Sequence, residues 1–181
     1  MPPINAMCTV SDISNIVLIG FMGAGKSTVG HELAKSGGMD FIDLDELIVS
    51  RQGRTIPLIF AEEGEETFRD YETETLSSLV KKRGLVVATG GGVIGRPRNW
   101  TLMRQMGPVV YLRAAWPTLR ARISGCTNRP LAGPDRSEEQ VVALLRSRQS
   151  LYEQADLTVD TDDKTLAEVV EEVWRGIKDR C

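Results

Sequence analysis

A three-layer α/β sandwich around a five-stranded parallel sheet is the fold this sequence predicts, on three observations. Five short apolar, β-branched runs recur along the chain, each far enough from the next for a crossover connection. Amphipathic stretches with an apolar spacing of about 3.6 residues fill the gaps. The first run breaks into a glycine-rich turn followed by helix formers, an arrangement that aims backbone N–H groups at a phosphate.

Taken in order, the first strand is read in Asn15-Ile-Val-Leu-Ile-Gly20, with Ile16–Ile19 as its apolar run, and a helix follows over Thr28–Ser36. The second strand is expected at Phe41–Leu44 and a long helix at Glu63–Lys82. Leu85–Ala88 is the third strand, Arg98–Met106 a helix, Val109–Leu112 the fourth strand and Trp116–Ile123 another helix. Ser124 to Arg136 carries Gly125, Pro130, Gly133 and Pro134 and reads as a loop, and a loop that long in a small domain points to function. Ser137 ahead of Glu138, with Gln140 at the third position, resembles a capping box opening a helix over Glu138–Ala155. Leu157–Val159 closes the sheet, and Leu166–Arg180 is the last helix. Trp100, Trp116 and Trp174 fall in or beside these helices as packing residues, and His31 is a surface or packing residue with no catalytic part.

Composition narrows the class. At 181 residues, 41% hydrophobic and 26% charged, the chain can close one core without disulfides, and one domain over 1–181 is expected, with 1–14 a loose extension. Net charge of −3 and a pI near 5.3 leave no global field for a nucleic acid backbone. No apolar stretch reaches membrane-spanning length. Cys8, Cys126 and Cys181 fit neither a disulfide framework nor a metal pair, which suits the cytoplasm.

The chemistry begins at Gly20-Phe-Met-Gly-Ala-Gly-Lys-Ser-Thr28, which meets G-x-x-x-x-G-K-[ST] and implies a nucleoside triphosphate. Gly23, Ala24, Gly25 and Thr28 would cradle the phosphates with their backbone, Lys26 would reach the β and γ phosphates, and Ser27 would place its hydroxyl on Mg²⁺. Asp43-Leu44-Asp45 ends the second strand, so both carboxylates should share a face at the sheet edge where ligands sit. Asp43 would then approach the metal and Asp45 the hydroxyl that receives the phosphoryl group, unless Asp45-Glu46 merely opens a helix. Arg69 lies among Glu62, Glu63, Glu65, Glu66, Asp70, Glu72 and Glu74, and reads either as a surface ion-pair partner or as a substrate ligand. Gly90-Gly91-Gly92 ends the third strand and lets a ligand approach its backbone. That strand carries no aspartate, which leaves Asp43 as the metal-linked acid. In the long loop Arg129, between Asn128 and Pro130, is better placed than Arg136 to neutralise a transferring phosphoryl. Arg146 and Arg148 precede Leu151-Tyr152 on one helix, and their spacing does not choose between them.

Collected, the motifs G-F-M-G-A-G-K-S-T, F-I-D-L-D, G-E-E-T-F-R-D-Y-E, T-G-G-G-V, N-R-P-L and R-x-x-L-Y resemble the shikimate kinase family over about residues 15–175. The resemblance implies the nucleoside monophosphate kinase fold of P-loop NTPases, sheet order 2-3-1-4-5, a substrate-binding insert over about 45–75 and a lid over about 124–136. It implies ATP-dependent phosphorylation of the 3-hydroxyl of shikimate, on the way to chorismate and the aromatic amino acids, by a cytoplasmic monomer using Mg²⁺. By position it assigns Asp45, Arg69, Gly90, Gly91, Gly92 and Arg148 to shikimate, with Arg69 and Arg148 on its carboxylate. Lys26 and Arg129 would stabilise the transferring phosphoryl, Ser27 and Asp43 would hold Mg²⁺, and Arg122 would lie against adenine. The chain departs from the family's usual R-P-L-L with Ala132 after Leu131, and Asp160-Thr-Asp-Asp-Lys164 is acidic beside the expected base.

Two other readings use the same residues. A kinase of this fold acting on gluconate would also need paired arginines, and a regulatory nucleotide-binding module would need only the P-loop. Retention of Asp45, Arg69 and Arg129 together opposes the module.

Overall fold

The computed structural model describes residues 13–123 and 137–180. Five parallel strands, β1 (Asn15–Ile19), β2 (Asp40–Asp43), β3 (Leu85–Ala88), β4 (Val109–Arg113) and β5 (Leu157–Asp160), form one sheet in the order β2-β3-β1-β4-β5. Each falls on an apolar run expected from the sequence. Around them lie α1 (Lys26–Gly37), α2 (Leu44–Gln52), α3 (Ile56–Leu79), α4 (Pro97–Met106), α5 (Trp116–Ile123), α6 (Glu138–Tyr152) and α7 (Leu166–Lys178).

Chain direction decides the layers. The crossover from β1 to β2 runs toward one edge of the sheet, whereas those from β2 to β3, β3 to β4 and β4 to β5 run toward the other. Right-handed connections therefore put α1 on one face and α3, α4 and α6 on the opposite one. Beyond β5 the chain returns to the first face, where α7 packs on β5 and α1. Val169, Val170, Val173 and Ile177 form its buried stripe. β1, at the centre, is buried along its whole length, as a strand covered on both faces must be. Gly30 brings α1 close to the sheet, since a Cβ there would meet the Phe41 ring and Leu18.

Three expectations need correction. β2 stops at Asp43, because its carboxylate accepts the Asp45 and Glu46 N–H groups and caps α2, a helix the sequence reading lacked. α3 begins at Ile56 rather than Glu63, with Thr55 at its N-cap and proline in its first turn. Gly64, at φ 85° and ψ 168°, kinks it in a conformation that only glycine adopts readily, and the break in phase hides the first two turns from a periodicity argument. α6 ends at Tyr152, ahead of the expected Ala155, while its Ser137–Gln140 capping box is present as expected. Trp100 is buried with its indole N–H on the Ile94 carbonyl, and Trp116 and Trp174 are partly buried against the core. His31 is exposed and packs on Phe41. No helix among the described residues is long and apolar enough to cross a membrane.

One polar side chain ties the base of the sheet together. Asn15 is fully buried at the start of β1; its amide donates to the carbonyls of Lys82 (2.9 Å) and Met106 (3.1 Å), and its carbonyl accepts Leu85 N–H (3.0 Å). It thereby joins the end of α4, the turn after α3 and the first residue of β3. Asn15→Leu keeps the volume but leaves those groups unsatisfied, and is expected to lower unfolding free energy by about 2–4 kcal/mol. Urea denaturation of the two proteins checks this, and equal midpoints would show the staple to be dispensable.

Candidate active site

The carboxyl ends of β1, β2 and β3 open into a cleft of about 1070 Å³. This is where ligands bind in a sheet whose connections reverse direction.

One wall is the glycine-rich turn between β1 and α1. Gly25, at φ 91°, occupies the N-cap of α1 with a left-handed backbone that a side chain would strain. Lys26 is buried and folds back so that its ammonium donates to the carbonyls of Gly20 (2.8 Å) and Phe21 (3.1 Å). Ser27 Oγ donates to Asp43 Oδ2 at 2.9 Å, while Asp43 Oδ1 accepts Asp45 N–H at 3.0 Å. The expected closeness of Ser27 and Asp43 is thus present, but its origin differs from the strand alternation read in the sequence. Asp43 is a helix cap, and Asp45 sits in the first turn of α2. Both still line the cleft. The alternative in which Asp45 opens a helix and the one in which it faces the site are both true.

The floor is the triple-glycine turn, and its successive residues meet different groups. A Cβ on Gly90 would lie 2.7 Å from Asp45 Oδ1 and 2.9 Å from Glu72 Oε1. On Gly91 it would lie 3.6 Å from Arg148 Nη1 and from the Tyr152 hydroxyl. On Gly92 it would collide with the Arg69 guanidinium. From the sequence these glycines are expected to admit an approaching ligand. In the structure Gly90 and Gly92 first make room for the protein's own carboxylates and cation.

Arg69 corrects the surface reading: at 9% exposure it is buried, with Nη1 on Glu72 Oε2 (2.9 Å) and Nη2 on Glu65 Oε1 (2.6 Å). Its guanidinium also stands 5.5 Å from the Phe68 ring centroid. Glu72 has 0% exposure, and burial pushes its carboxyl up to about 7, with the Asp45 charge adding to the rise against the pull of Arg69 and Arg148. Glu72 is a charged site residue that the sequence hides, as one acid among seven. The available signal was that Glu65 and Glu72, at i−4 and i+3 of Arg69, share its helix face.

α6 supplies the last cation, and it is Arg148 that lines the cleft, while Arg146 is exposed. Arg148 Nη1 is buried with no hydrogen-bond partner among the described residues. One turn on, the buried Tyr152 donates to Gly91 O at 3.0 Å and stacks on Tyr111 at 4.9 Å, and its burial raises the phenol above its ordinary range. Val49, Pro57, Phe60 and Phe68 form an apolar wall that the sequence reading did not single out. Arg122, on α5, donates to Gly23 O at 3.4 Å and to Thr161 Oγ1 at 3.2 Å, bridging the phosphate loop and the segment after β5. Two of the three acids of that segment are engaged: Asp160 pairs with Arg113, and Asp162 accepts Ala115 N–H at 2.8 Å, while Asp163 is exposed. Arg129, Arg136, the three cysteines and the rest of loop 124–136 lie outside the described residues.

Comparison with known proteins agrees with this geometry. The profile of the shikimate kinase family matches residues 22–178. A shikimate kinase from Geobacter sulfurreducens is 46% identical over 174 residues, covering 96% of each chain. A solved shikimate kinase from Acinetobacter baumannii, in complex with shikimate, superposes with a TM-score of 0.88 at 38% identity, covering 93% of this chain and 94% of its own. A gluconokinase from Sinorhizobium meliloti reaches a TM-score of 0.58 at 20% identity, a likeness of fold alone.

The raised Glu72 proton affinity has a consequence for stability. A carboxyl that binds its proton more tightly when folded stabilises the fold at pH below its ordinary 4.5, and that contribution is lost as pH rises through about 7. Denaturation at pH 5 and pH 8 should show the wild type losing about 1–3 kcal/mol more than Glu72→Gln. Parallel pH dependences would place the proton elsewhere.

Proposed function

This chain belongs to the shikimate kinase family, and from that premise we propose that it transfers the γ-phosphoryl group of ATP to the 3-hydroxyl of shikimate. The observation that carries the substrate reading is the order of groups along the triple-glycine turn. Asp45 stands at Gly90, with Arg148 and Arg69 at Gly91 and Gly92. One short ligand lying along the turn would present its hydroxyl to a carboxylate and its own carboxylate to two guanidiniums, for which the planar donor fork is suited. Val49, Pro57, Phe60 and Phe68 offer the opposite face of a small ring an apolar surface.

The phosphate end follows from Asp43, two residues before Asp45 and bonded to Ser27. Ser27 Oγ and Asp43 Oδ2 are hard oxygen donors 2.9 Å apart, and among the described residues no larger cluster of metal-binding side chains occurs. Two protein oxygens suit Mg²⁺, which keeps most of its coordination for water and phosphate. When bound there the ion would neutralise charge on the phosphates. The glycine loop and the α1 N-terminus would hold the phosphates, and Lys26, now on the loop's own carbonyls, is within reach of that mouth. Asp45 orients the acceptor hydroxyl and takes its proton as the phosphoryl leaves, in a reaction where alignment and charge neutralisation supply most of the rate. Arg122 would border the base, and the insert of α2 and the first part of α3 would close on the acceptor. Arg129, in the 124–136 lid, would approach the transferring phosphoryl. The family resemblance implies a monomer, and a cytoplasmic location is supported by cysteines in no disulfide pattern.

The test is ADP release with Mg²⁺ and ATP, comparing shikimate, gluconate and no acceptor. Shikimate-dependent release, reduced about 10²-fold or more in Asp45→Asn, is expected. Release with gluconate alone would move the chain to a different acceptor, and nucleotide binding with no acceptor-dependent release would make it a binding module. Arg129→Ala should lower kcat about 10³-fold, and an unchanged kcat would remove the lid arginine from the reaction.

A further inference from the structure

Glu72 is fully buried, and its surroundings are few. Arg69 faces it from its own helix, Asp45 from α2 and Arg148 from α6, with the Gly90 backbone beneath. Tyr152 lies next along α6, and Glu65 holds the outer side of Arg69. Glu72 Oε2 accepts from Arg69, whereas Oε1 is buried with no hydrogen-bond partner among the described residues. Arg148 Nη1 is in the same condition. Two guanidiniums therefore face one buried and one half-buried carboxylate, and one donor is left over.

We propose that the substrate's carboxylate and Glu72 draw on the same two guanidiniums, so that binding of the acid is coupled to uptake of a proton by Glu72. This rests on the reading that Arg69 and Arg148 hold the substrate's carboxylate. A third anion on the same two guanidiniums leaves more negative than positive charge around a carboxylate with no exposure, which is costly unless one group neutralises. Glu72 is the carboxylate with no exposure, and a proton from solvent converts it to the neutral acid, on the oxygen that Arg69 does not hold. Burial already pushes its carboxyl up to about 7, which puts this exchange near neutral pH. Glu72 is thus a positioning residue: it holds Arg69 in the empty site and releases charge when the substrate arrives. A substrate of the same shape without a carboxylate would have no such requirement.

The experiment is titration calorimetry of the wild-type protein with shikimate, without nucleotide, at pH 7.5 in phosphate and in Tris, whose ionisation enthalpies differ widely. About half a proton or more should be taken up per shikimate bound, and Kd should rise between pH 7 and 8.5 with a slope approaching tenfold per unit. Shikimate carboxamide should bind more weakly and with no uptake. Glu72→Gln, which keeps a polar partner for Arg69, should bind shikimate with equal heats in both buffers and a flat pH profile. Equal heats in the wild type with shikimate bound would overturn the coupling while leaving the kinase reading intact, as would uptake persisting in Glu72→Gln. Absence of both shikimate binding and shikimate-dependent ADP release would instead overturn the reading on which it rests. Should Glu72→Gln fail to fold, the wild-type comparison of acid and carboxamide decides the question alone.

Discussion

The ion pair between Arg69 and Glu72 joins a nearly buried guanidinium to a carboxylate with no exposure, and much of the cleft is arranged to allow it. A buried charge needs a partner in good geometry and further hydrogen bonds, or the cost of desolvation exceeds the attraction. α3 supplies partners on one face, Glu72 a turn ahead of Arg69 and Glu65 a turn behind. β3 supplies space, since a side chain at Gly92 would occupy the guanidinium and one at Gly90 would occupy the carboxylates. The triple-glycine turn is therefore as much a requirement of the protein's own charges as of a ligand.

The phosphate side is built on a different economy of groups. Asp43 ends β2, caps α2 through Oδ1 and holds Ser27 through Oδ2, so one residue sets a strand end, a helix start and the distance between two walls. The same cap orients Asp45, whose place beside Gly90 follows from the first turn of α2 rather than from strand alternation. Structural capping and the proposed metal and acceptor chemistry are thus mechanically linked: a change at Asp43 would disturb all three.

These two halves meet because the sheet is parallel and its connections reverse. β1 is central and covered on both faces, so every polar group of the site has to come from the carboxyl ends of strands and the helices that follow. Asn15 performs the complementary task at the opposite end, satisfying three backbone groups that a buried sheet base would otherwise leave open.

The sequence by itself determined the strands, the phosphate loop, most of the charged residues that line the cleft and, through the motifs taken together, the family. These are local or near-local properties: β-branched runs, glycines before a Lys-Ser pair, and residue types at set spacings report the backbone they form. Tertiary structure alone decided that Arg69 is enclosed rather than on the surface and that Glu72 is its partner among many acids, whereas Arg148, which helix spacing left level with Arg146 and the family motif selected, does line the cleft. It also decided that Asp43 caps a helix and that α3 starts before its kink. Burial is a property of what packs opposite. Whether an acid on α3 is solvated or sealed depends on β3, α2 and α6, which lie far from it in the chain and leave no mark on its own helical period.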